Sequence, residues 1–237
     1  MQVLSVNNLT KKFGGFAAVN NLTFSLQKGQ ITSIIGPNGA GKTTAIRLIS
    51  GEIEPTAGEI EFKGKKITKS SINNHALLGI SRTFQVPSVF DSLSVLDNLK
   101  IAVRTKRFEK RIAEDKCKSL LEEVGMQDEI YAYPTTLSHH KKRMLEWCMS
   151  VIREPEILLM DELGAGLSDD ELSMLYNLIT KKADKITPLF VEHRLEFVFR
   201  ISEKVIVLNQ GKKLAEGSPE EILNNKDVKA AYFGDSY

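Results

Sequence analysis

Cysteine is nearly missing from this chain: two among 237 residues, Cys117 and Cys148. Both fall in stretches that read as helices, and neither has a metal-ligand partner at short spacing. Neither a disulfide framework nor a disulfide-linked partner is expected, which fits a reducing compartment. Long apolar runs are missing too, since none approaches the ~20 residues that cross a bilayer. The first residues carry no charged-then-apolar leader. The expectation is a cytoplasmic chain that meets a membrane only through a partner spanning it. Charge of one sign is also in short supply. Basic residues number 32 and acidic residues 30, a net +2, so the basic stripe that nucleic acid demands is not seen. The short basic run Lys141, Lys142 and Arg143 reads as a solvated helix face. No internal repeat, low-complexity tract, flexible linker or sustained heptad interrupts the pattern.

What is there is the ordinary composition of a globular protein, 42% apolar and 26% charged, at a length that buries a proper core. Strands alternate with helices, which predicts an α/β fold with a mostly parallel core sheet. An antiparallel meander opens it, with strands at residues 3–6 and 22–26. Residues 31–35 form a buried strand that runs into a glycine-rich turn and then a helix over 43–49. After a turn at Thr56-Ala57-Gly58, residues 59–62 alternate like an exposed edge strand. Residues 157–160 are wholly apolar, as at a sheet centre, and 188–192 and 205–208 are further strands. Asn209-Gln210-Gly211 makes a turn, and Ser218 with Glu221 forms a capping box for the last helix. The stretch from about 87 to 153 has no convincing strand and two helical patterns, near 95–103 and 109–124. It reads as a helical subdomain inserted into a single domain spanning residues 1–237.

Between the strand at 31–35 and its helix stands Gly36-Pro37-Asn38-Gly39-Ala40-Gly41-Lys42-Thr43. This is a full Walker A loop in the strand–loop–helix context its mechanism needs. Glycines let successive amide N–H groups curl toward phosphates, and the helix N-terminus adds its positive dipole end. Lys42 reaches the terminal phosphates, while the Thr43 hydroxyl is placed to ligate Mg²⁺. Ile157-Leu158-Leu159-Met160-Asp161 supplies a Walker B strand whose aspartate can hold the water shell of the metal. Glu162, directly after it, is placed to polarise an attacking water. Together these predict a P-loop nucleotide hydrolase (P-loop NTPase).

Over nearly its whole length the chain then resembles the ABC (ATP-binding cassette) ATPases. Phe13, in Leu9-Thr10-Lys11-Lys12-Phe13-Gly14, matches the aromatic that stacks on adenine in that family. Gln85, in Arg82-Thr83-Phe84-Gln85, matches the glutamine that touches Mg²⁺ and water. His193, after Leu189-Phe190-Val191-Glu192, matches the switch histidine that contacts the γ-phosphate. The family's Leu-Ser-Gly-Gly-Gln signature begins 24 residues before the Walker B aspartate, and there the chain has Leu137-Ser138-His139-His140-Lys141. Both glycines and the glutamine are replaced. Leu163 also stands where the family has proline, and Ser168 where it has the aspartate of its D-loop. Four stretches are most similar to the ATP-binding subunits of branched-chain amino-acid and urea importers. They are Gly79-Ile80-Ser81-Arg82-Thr83-Phe84-Gln85, Ala165-Gly166-Leu167, Glu192-His193-Arg194-Leu195-Glu196-Phe197-Val198, and Ala231-Tyr232-Phe233-Gly234.

The resemblance implies an ATP-hydrolysing motor subunit with ATP and Mg²⁺ as cofactors, peripheral on the inner face of the cell membrane. Glu162, His193, Gln85 and Lys42 are then the catalytic candidates, and Thr43, Gln85 and Asp161 the metal ligands. ATP would rest on Phe13, the loop from Gly36 to Thr43, and Thr44. Ser138 would reach the ATP of a second ABC ATPase, since two such subunits sandwich two ATPs head to tail. The altered signature favours a heterodimer over a homodimer. Integral membrane permease subunits are the other implied partners, with residues 86–96 part of the groove that accepts their coupling helix. Three other readings stay open: a lipid-exporting relative, a soluble ABC machine, and a sensor that binds ATP without hydrolysing it. The intact Glu162 and His193 count against the last.

Overall fold

The computed structural model describes residues 1–83, 88–103, 110–162 and 164–233. The expected meander is present and longer than the apolar pattern alone indicates. Strands β1 (Gln2–Phe13) and β2 (Phe16–Gln27) form a hairpin. Strand β4 (Ala57–Phe62) pairs with β1, and the two-residue β5 (Lys65–Lys66) pairs with β4, giving an antiparallel sheet in the order β2-β1-β4-β5. Residues 59–62 are therefore not an edge, because β5 lies outside them. Nor is Thr56-Ala57-Gly58 a turn, since Ala57 and Gly58 open β4. Gly58 has φ +89°, and a Cβ there would fall 2.4 Å from the Asn8 carbonyl oxygen. The glycine marks a close approach of two strands at a register shift between Asn7 and Thr10, as at a bulge.

The second sheet has the order β10-β9-β3-β8-β7-β6. Its strands are β3 (Thr32–Ile35), β6 (Ile80–Arg82), β7 (Ile157–Asp161), β8 (Thr187–Val191), β9 (Lys204–Asn209) and β10 (Lys212–Gly217). The pairings β9–β3, β3–β8, β8–β7 and β7–β6 are all parallel, and β10 alone runs antiparallel, from the hairpin at Gln210 and Gly211. β3, β7 and β8 are buried at every position, the apolar reading of a covered parallel strand. Side chains alternate between two cores with the two-residue period of a strand. Ile34, Leu189, Val191, Ile206 and Leu208 pack beneath the meander with Leu4, Val6 and Ile46. Ile35, Leu158, Met160, Phe190 and Val207 pack on the opposite face with Trp147, Leu175 and Tyr176.

The helices that cover this second face include α3 (Val95–Val103), α4 (Lys110–Glu123), α5 (His139–Val151) and α6 (Asp169–Lys182). Cys117 and Cys148 are free thiols buried on α4 and α5. α5 stops at Val151, short of Pro155, and it overturns one expectation. Lys141 pairs with Glu129 and Arg143 is 2% exposed, 3.1 Å from a buried Glu146. The run 141–143 is thus not a solvated face, because its arginine points inward and is neutralised one turn along the same helix. The Ser218–Glu221 capping box is formed as expected, at the start of α8 (Pro219–Asn224).

Candidate functional site

β3 ends at Ile35, and the chain turns through residues 36–41 into α1 (Lys42–Ile49). Two glycines there are obligatory. At Gly36 (φ +152°) a Cβ would lie 2.1 Å from the Leu208 carbonyl oxygen, and at Gly41 (φ +100°) 2.4 Å from that of Ala18. Gly39 (φ +77°) meets nothing within 4 Å and so faces the open side of the loop. No side chain caps α1 and no acidic residue lies in its first turn, which leaves its N-terminal amides available to an anion. Lys42 is 6% exposed and folds back to donate from Nζ to the Gly36 carbonyl at 2.8 Å and the Pro37 carbonyl at 3.1 Å. Burial holds its pKa below the usual lysine value, opposed by the charges of Glu162 and Asp161.

At the end of β7, Asp161 accepts from the Thr43 hydroxyl on Oδ1 at 3.3 Å. It is 1% exposed, and burial pushes its pKa up against the pull of Arg82, whose Nη2 lies 3.7 Å from Oδ2. Among the described residues Oδ2 itself has no hydrogen-bond donor. A buried carboxylate oxygen left without a donor, beside a threonine hydroxyl, fits a hard dication that takes oxygen ligands. Gln85, the third expected ligand, lies outside the described residues.

Glu162 follows with φ +52°, a left-handed conformation that a glutamate adopts only under constraint. Its N–H donates to the Val191 carbonyl at 3.0 Å, and its Oε1 meets His193 Nε2 at 2.5 Å. The two side chains line one open cleft of about 280 Å³ together with Phe16, Ala18, Asn38, Gly39, Ala40, Gly41, Lys42, Thr43 and Thr44. The phosphate loop and the candidate hydrolytic pair are therefore brought together. Phe13 is half exposed at the end of β1, with Lys11 Nζ 5.3 Å over its ring. Its cross-strand partner is Phe16, and of the two it is Phe16 that lines the cleft. Sequence reasoning missed Phe16, although two phenylalanines flanking Gly14-Gly15 must face each other once that pair is read as a hairpin turn.

Ser138 is the N-cap of α5, its hydroxyl oxygen accepting from Lys141 N–H at 3.3 Å. It stands apart from the cleft lining. The replaced signature residues lean on their own chain: His139 lies against Gly166, where an added Cβ would come within 3.1 Å of Cε1, and His140 Nδ1 is 3.9 Å from Glu171 Oε1. Ser168 is occupied in a capping box with Glu171 at the start of α6, and Leu163 lies outside the described residues. Buried Glu192 stands in the sequence reading only as part of longer stretches, with no role of its own. Burial raises its pKa, opposed by hydrogen bonds from the Gly164 and His193 N–H groups.

The family described as ABC transporter is matched by residues 19–165, and the one described as branched-chain amino acid ATP-binding cassette transporter by residues 212–237. The chain is 36% identical to the high-affinity branched-chain amino acid transport ATP-binding protein LivG of Salmonella typhimurium, over 99% of this chain and 98% of that one. To the corresponding protein BraF of Pseudomonas aeruginosa it is 35% identical over the same shares. A nucleotide-free ATP-binding cassette from an ABC transporter superposes with a TM-score of 0.88 at 28% identity, covering 99% of this chain and 100% of the other. The ADP conformation of such a cassette gives 0.87 at 29% identity, with the same coverage.

Proposed function

The chain belongs to the ABC transporter family, and from that premise we propose that it is the ATP-hydrolysing motor subunit of an importer of branched-chain amino acids or a similarly small solute such as urea. The observation that carries the motor reading is the Glu162–His193 contact at 2.5 Å in the cleft that the phosphate loop lines. The solute class is supported by the full-length similarity to LivG and BraF and by the match over residues 212–237.

On this reading Lys42 leaves its loop carbonyls for the terminal phosphates. Thr43 and Asp161, with Gln85, would hold Mg²⁺, which when bound would supply positive charge against the phosphates. Glu162 accepts a hydrogen bond from the attacking water, and His193 fixes that carboxylate while facing the γ-phosphate. Adenine rests on the hairpin end that carries Phe13 and Phe16. Ring stacking offers area but few hydrogen bonds that tell bases apart. ATP and GTP should therefore bind the purified chain with similar affinity in a nucleotide titration. A preference of about a hundredfold would reveal a buried polar group reading the base.

The stretch from about 87 to 153, of which 87 and 104–109 lie outside the described residues, is on this reading the helical subdomain. Residues 86–96, of which 86 and 87 lie outside them, are part of the groove that takes the coupling helix of permease subunits. Among the described residues no helix is long and apolar enough to cross a membrane. A second, different ABC ATPase completes the dimer. In vesicles holding this chain with its co-purifying permease subunits, ATP should drive uptake of leucine, isoleucine or valine, and Lys42→Ala should abolish it. ATP turnover without uptake of any of these, or of urea, would overturn the solute assignment.

A further inference from the structure

His193 sits between two charged residues, and each reaches across to the loop that leads from Glu162 to α6. Glu192, 7% exposed, accepts the Gly164 N–H on Oε1 at 2.9 Å and faces the His193 N–H from Oε2 at 3.4 Å. Arg194 donates from Nη2 to the Leu167 carbonyl at 2.9 Å and from Nη1 to Asp169 Oδ1 at 2.6 Å. With the Glu162 N–H on the Val191 carbonyl, the residues around His193 tie down the segment after β7 in order: 191 to 162, 192 to 164, 194 to 167. The fit is close. A Cβ on Gly164 would fall 2.4 Å from Leu172 Cδ1 and 2.9 Å from Glu192 Oε1.

We propose that Glu192 and Arg194 are positioning residues for ATP hydrolysis, clamping loop 164–168 to the end of β8 so that Glu162 and His193 keep their contact. The left-handed backbone of Glu162 persists only where its surroundings over-determine it. Its N–H bond fixes one side of that residue, and the clamp fixes the chain beyond it. Neither clamp residue lines the nucleotide cleft, so neither contributes to ATP affinity. Both act through Glu162. The guanidinium reaches a carbonyl and a carboxylate at once, which a lysine ammonium can satisfy only in part.

The proposal rests on Glu162 and His193 being the water-activating pair, and the test separates the two ideas. In the assembled transporter, Arg194→Ala and Glu192→Ala should each lower kcat about ten- to a hundredfold, the scale set by misplacing a reacting group by about 1 Å. ATP affinity of the purified chain should stay at its unmodified value in both variants, as should the thermal midpoint of Arg194→Ala, and Arg194→Lys should recover part of the rate. Added to Glu162→Gln, Arg194→Ala should cost nothing further, because groups acting as a unit are not additive. If Glu162→Gln stops turnover while Arg194→Ala leaves it unchanged, the clamp is wrong and the pair stands. Loss of ATP affinity together with kcat, with no rescue by lysine, also overturns the clamp. If Glu162→Gln turns over normally, the pair fails and the clamp with it.

Discussion

Glu162→Gln is expected to leave ATP bound and to cut turnover by about a hundred- to ten-thousandfold, the usual worth of a positioned general base. The amide keeps the shape of the carboxylate, and glutamine tolerates the same left-handed backbone no better and no worse. It can still meet His193 Nε2, so the 2.5 Å contact survives in kind. What disappears is the negative charge that orients and polarises water. Lys42 loses one of the two carboxylates that raise its pKa, but Asp161 remains, so phosphate binding should persist. Single-turnover hydrolysis in the assembled transporter measures the step directly. A rate equal to that of the unmodified chain would remove Glu162 from the mechanism.

Much of this site was legible because its parts are local. The Walker A loop is a run of eight residues, two of whose glycines, Gly36 and Gly41, are forced by backbone approach, and β7 is an apolar run ending in Asp161 with Glu162 directly after it. The family likeness then supplied His193, which no local rule would have singled out. Other features failed for physical reasons. β6 is three residues long, and β10 reads Lys212-Lys213-Leu214-Ala215-Glu216-Gly217, half-buried at best, so neither shows the alternation that marks a strand. Arg143 looked solvated because charge alone was weighed. Its flanks on the helix, Trp147 on one side and Glu146 and Ser150 on the other, are all buried, and a helix cannot bury both flanks of a residue while freeing the residue itself. Glu192 and Arg194 work through loop 164–168, more than 20 residues away in sequence, a pairing that only folding reveals.

In the heterodimer proposed above, Lys42→Ala in this chain should depress ATPase activity far more than the equivalent lysine change in its partner. The expectation comes from a mismatch within this chain. Its own Walker site has Lys42, Thr43, Glu162 and His193 lining one cleft with Asp161 bonded to Thr43 beside it, whereas the signature it would offer across the proposed interface has lost both glycines. A signature acts by bringing a serine and helix N-terminal amides up to a γ-phosphate, and glycine allows that approach because it lacks Cβ. Here Ser138 Oγ is engaged by the Lys141 N–H, though its own O–H can still donate. His139 is packed on Gly166 and His140 is turned toward Glu171, so the first turn of α5 is braced against its own chain rather than free to close on a neighbour's phosphate. Each hydrogen bond lost to a charged phosphate costs about 1.5–3 kcal/mol, roughly ten- to a hundredfold in rate or affinity. A homodimer would suffer that at both sites, whereas a heterodimer with an intact partner signature confines it to the partner's ATP. Equal depression by the two lysine lesions, or full activity of this chain as a homodimer, would refute the asymmetric arrangement. With the asymmetry present, glycine at both positions, His139→Gly with His140→Gly, should raise turnover at the partner's site, because it frees the α5 N-terminus from Gly166 and Glu171 and restores the close approach together.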